Sequence, residues 1–348
     1  MMTGDPDPRT PYTATFVERL ERTGVVTNFK PASSRPRPGA TAWVRGMLHG
    51  IDTAWRAFTQ DQANRRNERY RLASREERIE YDGFGPWLVP LQTMEAIPTI
   101  FRPWHEEIRD AAHAFKFPVA VDRRDAIPGM LLYDRVLVVS SSGILYLESA
   151  GHQVIERRHA MASLRAIRNH TDLLTSTLTL YWVDGSRLAL DYNTISNDFV
   201  EAAIAYVRGR IEKPGYDLLA DKRLSMRIGG DDVDDLFYLG LLEKSRRRSG
   251  FVRILVWDRP GFVVDRRWWR RRYGLGCLVI AENQDIAIFD HGKPRRKRSE
   301  AVFARSELYI PGWAILGVTQ REDSCAITFS IERHEISVVL SRSFPAFE

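Results

Sequence analysis

Residues 117–149 read FPVAVDRRDAIPGMLLYDRVLVVSSSGILYLES, and residues 260–291 read PGFVVDRRWWRRRYGLGCLVIAENQDIAIFDH. VDRR starts at Val121 and again at Val264, LVV at 137 faces LVI at 278, and GILYLE faces DIAIFD after a short turn. The offsets between these features lie between 141 and 143. Further on, TLTLYWVDGSRLALDY is matched by CAITFSIERHEISVVL, each reading as two strands around a tight polar turn. Four features in one order predict an internal repeat. Within it, the arginine–tryptophan run of the second copy replaces DAIPGM of the first, at an edge or mouth of the second unit.

Outward from the first copy, the chain alternates short Val/Ile/Leu-rich runs with Gly, Asp, Ser and Asn. LLYDRVLVVS, GILYLES, HQVIERRHA, LRAIRNH, LTSTLTLYW and SRLALDY read as strands. VDGS predicts a hairpin in which Asp184 and Gly185 take positive φ angles. ISNDFVEAAIAYVRGRI then reads as a helix, with Asp198 and Glu201 at capping-box spacing and an apolar stripe of Phe199, Val200, Ala203, Ile204, Val207 and Ile211. Such a helix can plug the open end of a bent sheet. The fold class expected is α+β.

The succession VLVVSSSGILYLES, RRHAMASLRAIRN, LTLYWVDGSRLALDY and a final amphipathic helix resembles bacterial pleckstrin-homology-like and GRAM-like domains, across 117–212 and less fully across 251–342. The resemblance implies a seven-stranded bent sheet or barrel plus a helix, used without catalysis to bind lipid headgroups, peptides or partner proteins. In inositide-binding members the basic residues lie near the first hairpin, whereas VDRRWWRRRY precedes it. The organisation expected is a mobile Pro-rich arm (1–40), a helical region (41–116), a first PH-like domain (117–212), a linker with a short helix (213–250) and a second PH-like domain (251–348).

Six of the seventeen prolines fall in residues 1–40. From Thr41, Val44, Met47, Leu48, Ile51, Trp55 and Phe58 recur at helical steps, predicting a buried stripe or an oligomer contact through residues 41–60. A mixed-charge helix follows as far as YDGFGPW, and 88–116 reads as helical in two pieces broken at Pro98 and Pro103. The start lacks a secretory signal pattern and no apolar run reaches spanning length, so a cytoplasmic bacterial-type protein is expected, with peripheral contact to the inner membrane open.

Local catalytic signatures are missing. His105-Glu106-Glu107 lacks the second histidine of a zincin, because Arg109 stands where it belongs; His113, eight residues on, reads as an exposed helical partner of His105. GGDDVDD (229–235) lacks EF-hand spacing and reads as acids opening a helix. Cys277 and Cys325 each begin a strand, as small buried hydrophobes would. No metal and no cofactor are expected, and no enzyme.

Charge is where the sequence points to partners. Net charge is +6, yet Ser245–Glu300 holds fifteen Lys/Arg against six Asp/Glu, which leaves the remainder at −3. The clusters are SRRR (245–248), DRRWWRRRY (265–273) and KPRRKR (293–298). The candidate anion- or partner-binding residues are Arg266, Arg267, Trp268, Trp269, Arg270, Arg271, Arg272, Arg295, Arg296, Lys297 and Arg298. Arginine beside tryptophan suits a lipid interface, where indole lies at headgroup depth. It also suits nucleic acid, with bases stacked on the rings. The reading is a binding or scaffolding module for a partner protein, anionic lipid headgroups or both; the alternative is a nucleic-acid-binding protein using the second domain.

Overall fold

The computed structural model describes residues 40–151, 153–211, 233, 235–249, 252–259, 261–264, 271–274, 276–291, 304–320, 326–331 and 333–339. The expected arm therefore lies outside the described residues. By contact density the chain divides into Met1–Arg65 and Arg66–Glu348, and both expected strand modules fall in the second unit.

Helix α1 (Ala40–Leu72) crosses that division. On its expected buried stripe Trp55 is 49% exposed, and the side chains of Val44, Met47, Leu48, Ile51 and Phe58 lie outside the described residues. The mixed-charge helix does not run on unbroken. Ser74 interrupts it and opens α2 (Arg75–Gly83), its hydroxyl accepting from the Glu77 amide while the Glu77 carboxylate accepts from the Ser74 amide.

Residues 88–116 depart from the expected helices. They form β1 (Val89–Pro90), 3-10 turns at Met94–Ala96 and Thr99–Trp104, the short α3 (His105–Arg109) and β2 (His113–Pro118). The physical reason is burial. Phe115 and Phe117, two apart, both enter the core beside Leu88, and a period of two wins over the helical reading of HAFK (113–116). His113 therefore belongs to a strand rather than to a helix shared with His105.

Two successive runs of strands share one plan. In the first, β2, β3 (Tyr133–Val139), β4 (Gly143–Ala150) and β5 (Gln153–Ala160) form a meander. A 3-10 turn (Met161–Ser163) leads to β6 (Leu164–Thr171), β7 (Thr175–Trp182) and β8 (Arg187–Asn193), then helix α4 (Asn197–Arg210). After α5 (Leu236–Ser249) the second run begins at β9 (Val252–Asp258). The hairpin β10 (Gly261–Val264) and β11 (Arg271–Gly274) intervenes before β12 (Cys277–Glu282), β13 (Asp285–Asp290) and β14 (Arg305–Pro311). A 3-10 turn (Gly312–Ala314) again precedes a three-strand meander, β15 (Gly317–Gln320), β16 (Ala326–Ile331) and β17 (His334–Val339).

Register refines the offsets. The β3–β4 hairpin closes on Ser140 and Gly143, and the β12–β13 hairpin on Glu282 and Asp285, a uniform shift of 142. Gly143 opposes Ala160 and Asp285 opposes Pro311, where the shift has grown to 151. Measured by register, nine extra residues thus lie between the paired positions of β13 and β14 compared with those of β4 and β5.

The two runs are joined. Strand β6 pairs antiparallel with β14, from Thr171 opposite Arg305 to Ile167 opposite Tyr309, giving one seven-stranded sheet ordered β8-β7-β6-β14-β13-β12-β9. None of the sheets closes among the described residues, which corrects the expectation of two barrels: the edge of β6 pairs with β14 of the other run instead. Helix α4 buries Val200, Ala203, Ile204 and Val207 against both sheets, with Tyr238, Leu241 and Leu242 of α5 in the same core. Each of the larger of these side chains contributes roughly 1.5–3 kcal/mol by leaving water.

Two local readings also change. Phe199 leaves the expected stripe and is exposed. No capping box opens α4; Asn193 caps the preceding 3-10 turn, and Glu201 instead accepts from the Asn197 side chain. In the β7–β8 turn only Gly185 has positive φ, while Asp184 accepts from the Ser186 amide and hydroxyl.

Candidate functional site

Nine of the candidate anion-binding residues (Arg266, Arg267, Trp268, Trp269, Arg270, Arg295, Arg296, Lys297 and Arg298) lie outside the described residues. Arg271 and Arg272 fall in β11, opposite Val264 and Val263, and their side chains are likewise not described. What is described is where these segments attach. Asp258, Cys277, Asp290 and Ser306 lie in one row across β9, β12, β13 and β14. The connection carrying DRRWWRRRY leaves from Asp258 and returns at Cys277, and that carrying KPRRKR leaves from Asp290 and returns at Arg305. In an antiparallel meander the first and third connections share one end. Two basic segments about 30 residues apart in sequence are thus tethered to the same end of one sheet.

The corresponding VDRR of the first run has a structural task. Arg123 donates to the carbonyls of Tyr81 and Phe84 at the C-terminal end of α2 and lies over the Tyr81 ring at 4.5 Å. Arg124 folds back on Asp122. Its hydrogen bonds, and the backbone bond from Arg124, hold the exposed Asp122 carboxyl at about 2.

The third basic cluster, SRRR, is only partly a solvated face. Arg246 pairs with Glu243 on the surface of α5. Arg248 turns inward and grips Glu282 with two hydrogen bonds of 2.6 Å. This opens a charge network between α4, α5 and the seven-stranded sheet that the sequence did not reveal. Arg208 of α4 reaches Asp285 at 3.1 Å and Glu282 at 3.6 Å. Both guanidiniums lie over the Tyr309 ring, Arg208 at 4.1 Å and Arg248 at 5.4 Å. The Tyr309 hydroxyl donates to Glu307. Arg305 bridges Glu307 at 3.0 Å and Glu201 at 2.8 Å, and Lys244 meets Glu201 at 2.6 Å.

Four cations thus face four carboxylates. Burial alone would raise the Glu282 carboxyl, but the Arg248 hydrogen bond and the charges of Arg208 and Arg248 outweigh it and hold it below its usual range. Glu201 is lowered the same way, burial being overcome first by Lys244. Burial, then the neighbouring Glu307 charge, pushes the Tyr309 phenol up. A cleft of about 330 Å³ opens beside the network, bordered by Glu201, Lys244, Glu307 and Tyr309. With its charges internally matched, the network ties α4 of the first run to the β12–β13 hairpin of the second.

The remaining sequence candidates are placed as follows. His105 sits 3.1 Å from the Arg102 carbonyl, and His113 packs between Phe115 and Tyr206, burial lowering its pKa. Asp235 accepts from the Phe237 amide and so opens α5. Cys277 is fully buried, and burial drives its thiol far up; Cys325 lies outside the described residues. Among the described residues no group of three or more His, Cys, Asp or Glu could hold a metal ion, and no helix is long and apolar enough to cross a membrane.

The fold defines an α+β protein built on antiparallel sheets. In comparisons with protein families, curated proteins and solved structures, nothing matches the chain.

Proposed function

We propose that the chain is a non-enzymatic binding and scaffolding module of two PH-like repeats, recognising a partner protein and an anionic surface, the latter at one end of its seven-stranded sheet. The observation that carries this reading is the common tether. Arg266, Arg267, Arg270, Arg271 and Arg272 belong to one connection and Arg295, Arg296, Lys297 and Arg298 to the other, and both spring from the row Asp258–Cys277–Asp290–Ser306. Charge concentrated this way attracts polyanions over about a Debye length, ~8–10 Å in physiological salt. The internal network is matched among its own side chains, so its cations do not compete with the basic connections for a ligand. Peripheral attachment to an anionic leaflet follows, with Trp268 and Trp269 at headgroup depth.

Co-sedimentation with vesicles containing phosphatidylserine tests this at two salt concentrations. Arg270→Gln/Arg271→Gln/Arg272→Gln is expected to weaken binding, as is the corresponding change at 295–298, each without lowering the melting temperature. Binding unaltered by both sets would refute the proposed site.

The paired tryptophans support a second reading. Adjacent indoles among arginines also suit single-stranded nucleic acid, by stacking and phosphate neutralisation. A mobility-shift assay with single-stranded DNA and RNA, at the same two salt concentrations, separates the two: retention of nucleic acid without vesicle binding assigns the sheet end to nucleic acid.

A further inference from the structure

Away from the basic connections, three segments of the first run converge on an exposed apolar rim. Thr194 donates its amide to the Leu174 carbonyl at 3.2 Å and its hydroxyl to the Asp172 carbonyl at 2.7 Å, so the β6–β7 turn lies against the β8–α4 connection. The Leu88 amide donates to the Ser196 hydroxyl at 2.9 Å, which brings the Gly85–Leu88 loop to the same place. Phe199, in the first turn of α4, lies 6.4 Å from the Phe115 ring. The side chains this leaves in solvent are large and apolar: Trp87 is 43% exposed, Leu173 62%, Leu174 70%, Ile195 76% and Phe199 45%.

An isolated exposed leucine needs no explanation, but five large apolar groups gathered from three segments do. Ile195 and Leu174 stand at the ends of connections whose geometry is already fixed by Asn193, Thr194 and Ser176.

The segments that form this rim carry one sign of charge. Residues 82–91, 172–178 and 191–202 contain Asp82, Asp172, Asp191, Asp198 and Glu201 and not one Lys, Arg or His. Glu201 is neutralised by Lys244 and Arg305, and Asp82 accepts from the Tyr70 hydroxyl. Asp172, Asp191 and Asp198 have no ion-pair partner among the described residues. An anionic leaflet would be repelled by such a face; an apolar group flanked by cations would be attracted.

We propose that the rim formed by Trp87, Leu173, Leu174, Ile195 and Phe199 docks a partner protein segment presenting apolar or aromatic side chains flanked by lysine or arginine. The inference rests on the binding-module reading and assigns the protein partner a surface separate from the basic sheet end.

A fluorescently labelled synthetic peptide, VDRRWWRRRY, supplies that chemistry as a probe for the full-length chain. Saturable binding is expected, weakened at least about tenfold by Leu174→Asp/Ile195→Asp, and absent for a peptide with glutamate at each arginine. Because both side chains are exposed, circular dichroism and the melting temperature of that variant should be unchanged. Asp172→Asn/Asp198→Asn, which leaves the apolar groups intact, is expected to weaken binding and flatten its salt dependence. Failure of the peptide to bind, or equal binding by wild type and both variants, overturns the proposal. So does a loss of vesicle binding in Leu174→Asp/Ile195→Asp, which would make a membrane the occupant. The arginine variants at 270–272 address the sheet end independently, so either site can fail alone.

Discussion

Arg248 stands in SRRR, one of the three basic clusters of the sequence, yet its guanidinium closes on a carboxylate that is almost wholly buried. Removing one partner of such a pair leaves a charge stranded in low dielectric. Arg248→Met should therefore cost about 3–5 kcal/mol, toward the lower figure because Arg208 still reaches Glu282, and Arg248→Met/Glu282→Leu should recover most of it. Urea denaturation of the three proteins checks this. The sign of the pH dependence follows from the lowered Glu282 carboxyl. Its contribution is present above the unfolded value of about 4.3 and is lost as pH falls through the folded value. The gap between wild type and Arg248→Met should be widest near neutral pH and close on acidification; a gap that widened below pH 4 would contradict the pairing. Cys277 offers a second residue-scale test. Sealed in the core with its thiol pushed up, it should resist iodoacetamide in the native chain and react only on unfolding, as peptide mapping would report.

At the scale of elements, these strands were legible because alternation of apolar residues needs only local sequence. β3, β4, β12 and β13 follow from LVV, LVI, GILYLE and DIAIFD with no knowledge of neighbours. Four things were not legible, each for a physical reason. HAFK reads as the tail of a helix until Phe115 and Phe117 are seen entering one core together. Glu282 and Asp285 are the ends of the ENQD turn, and their partners on α5 and α4 lie 34 and 77 positions away. The pairing of β6 with β14 joins segments over 130 residues apart, and no local pattern encodes it. The apolar rim was missed because Leu173, Leu174 and Ile195 sit in separate turns that only hydrogen bonding unites. The matching hairpins also differ in an instructive way. A Cβ on Gly143 would lie 2.2 Å from the His159 carbonyl oxygen and 3.1 Å from the Ala160 Cα, both backbone atoms that cannot move aside. Gly143→Ala should destabilise by roughly 1–3 kcal/mol as β5 is forced off β4, whereas the second run carries Asp285 at the same place. A denaturation midpoint unchanged by this substitution would mean that β5 approaches β4 less closely than described.

For the molecule as a whole, the consequence of the shared sheet is cooperativity. Two PH-like repeats on a linker would unfold as two bodies, each with its own transition. Here the second sheet of the first run and the first sheet of the second are one seven-stranded sheet, crossed by Arg208 binding Asp285 and by the core that α4 and α5 share. Separating the runs would expose the β6 edge, leave Asp285 and Glu282 without Arg208, and open the core that α4 and α5 share. Calorimetry of residues 66–348 should accordingly show a single transition whose van't Hoff and calorimetric enthalpies agree. Residues 66–211 alone should aggregate through the freed β6 edge rather than fold as a stable half. Two resolved transitions, or a soluble and cooperatively folding 66–211 fragment, would return the chain to two autonomous domains. The common origin of the basic connections would survive that result, since it depends only on β9 and β12–β14, but the charge network would then be an interface between movable bodies.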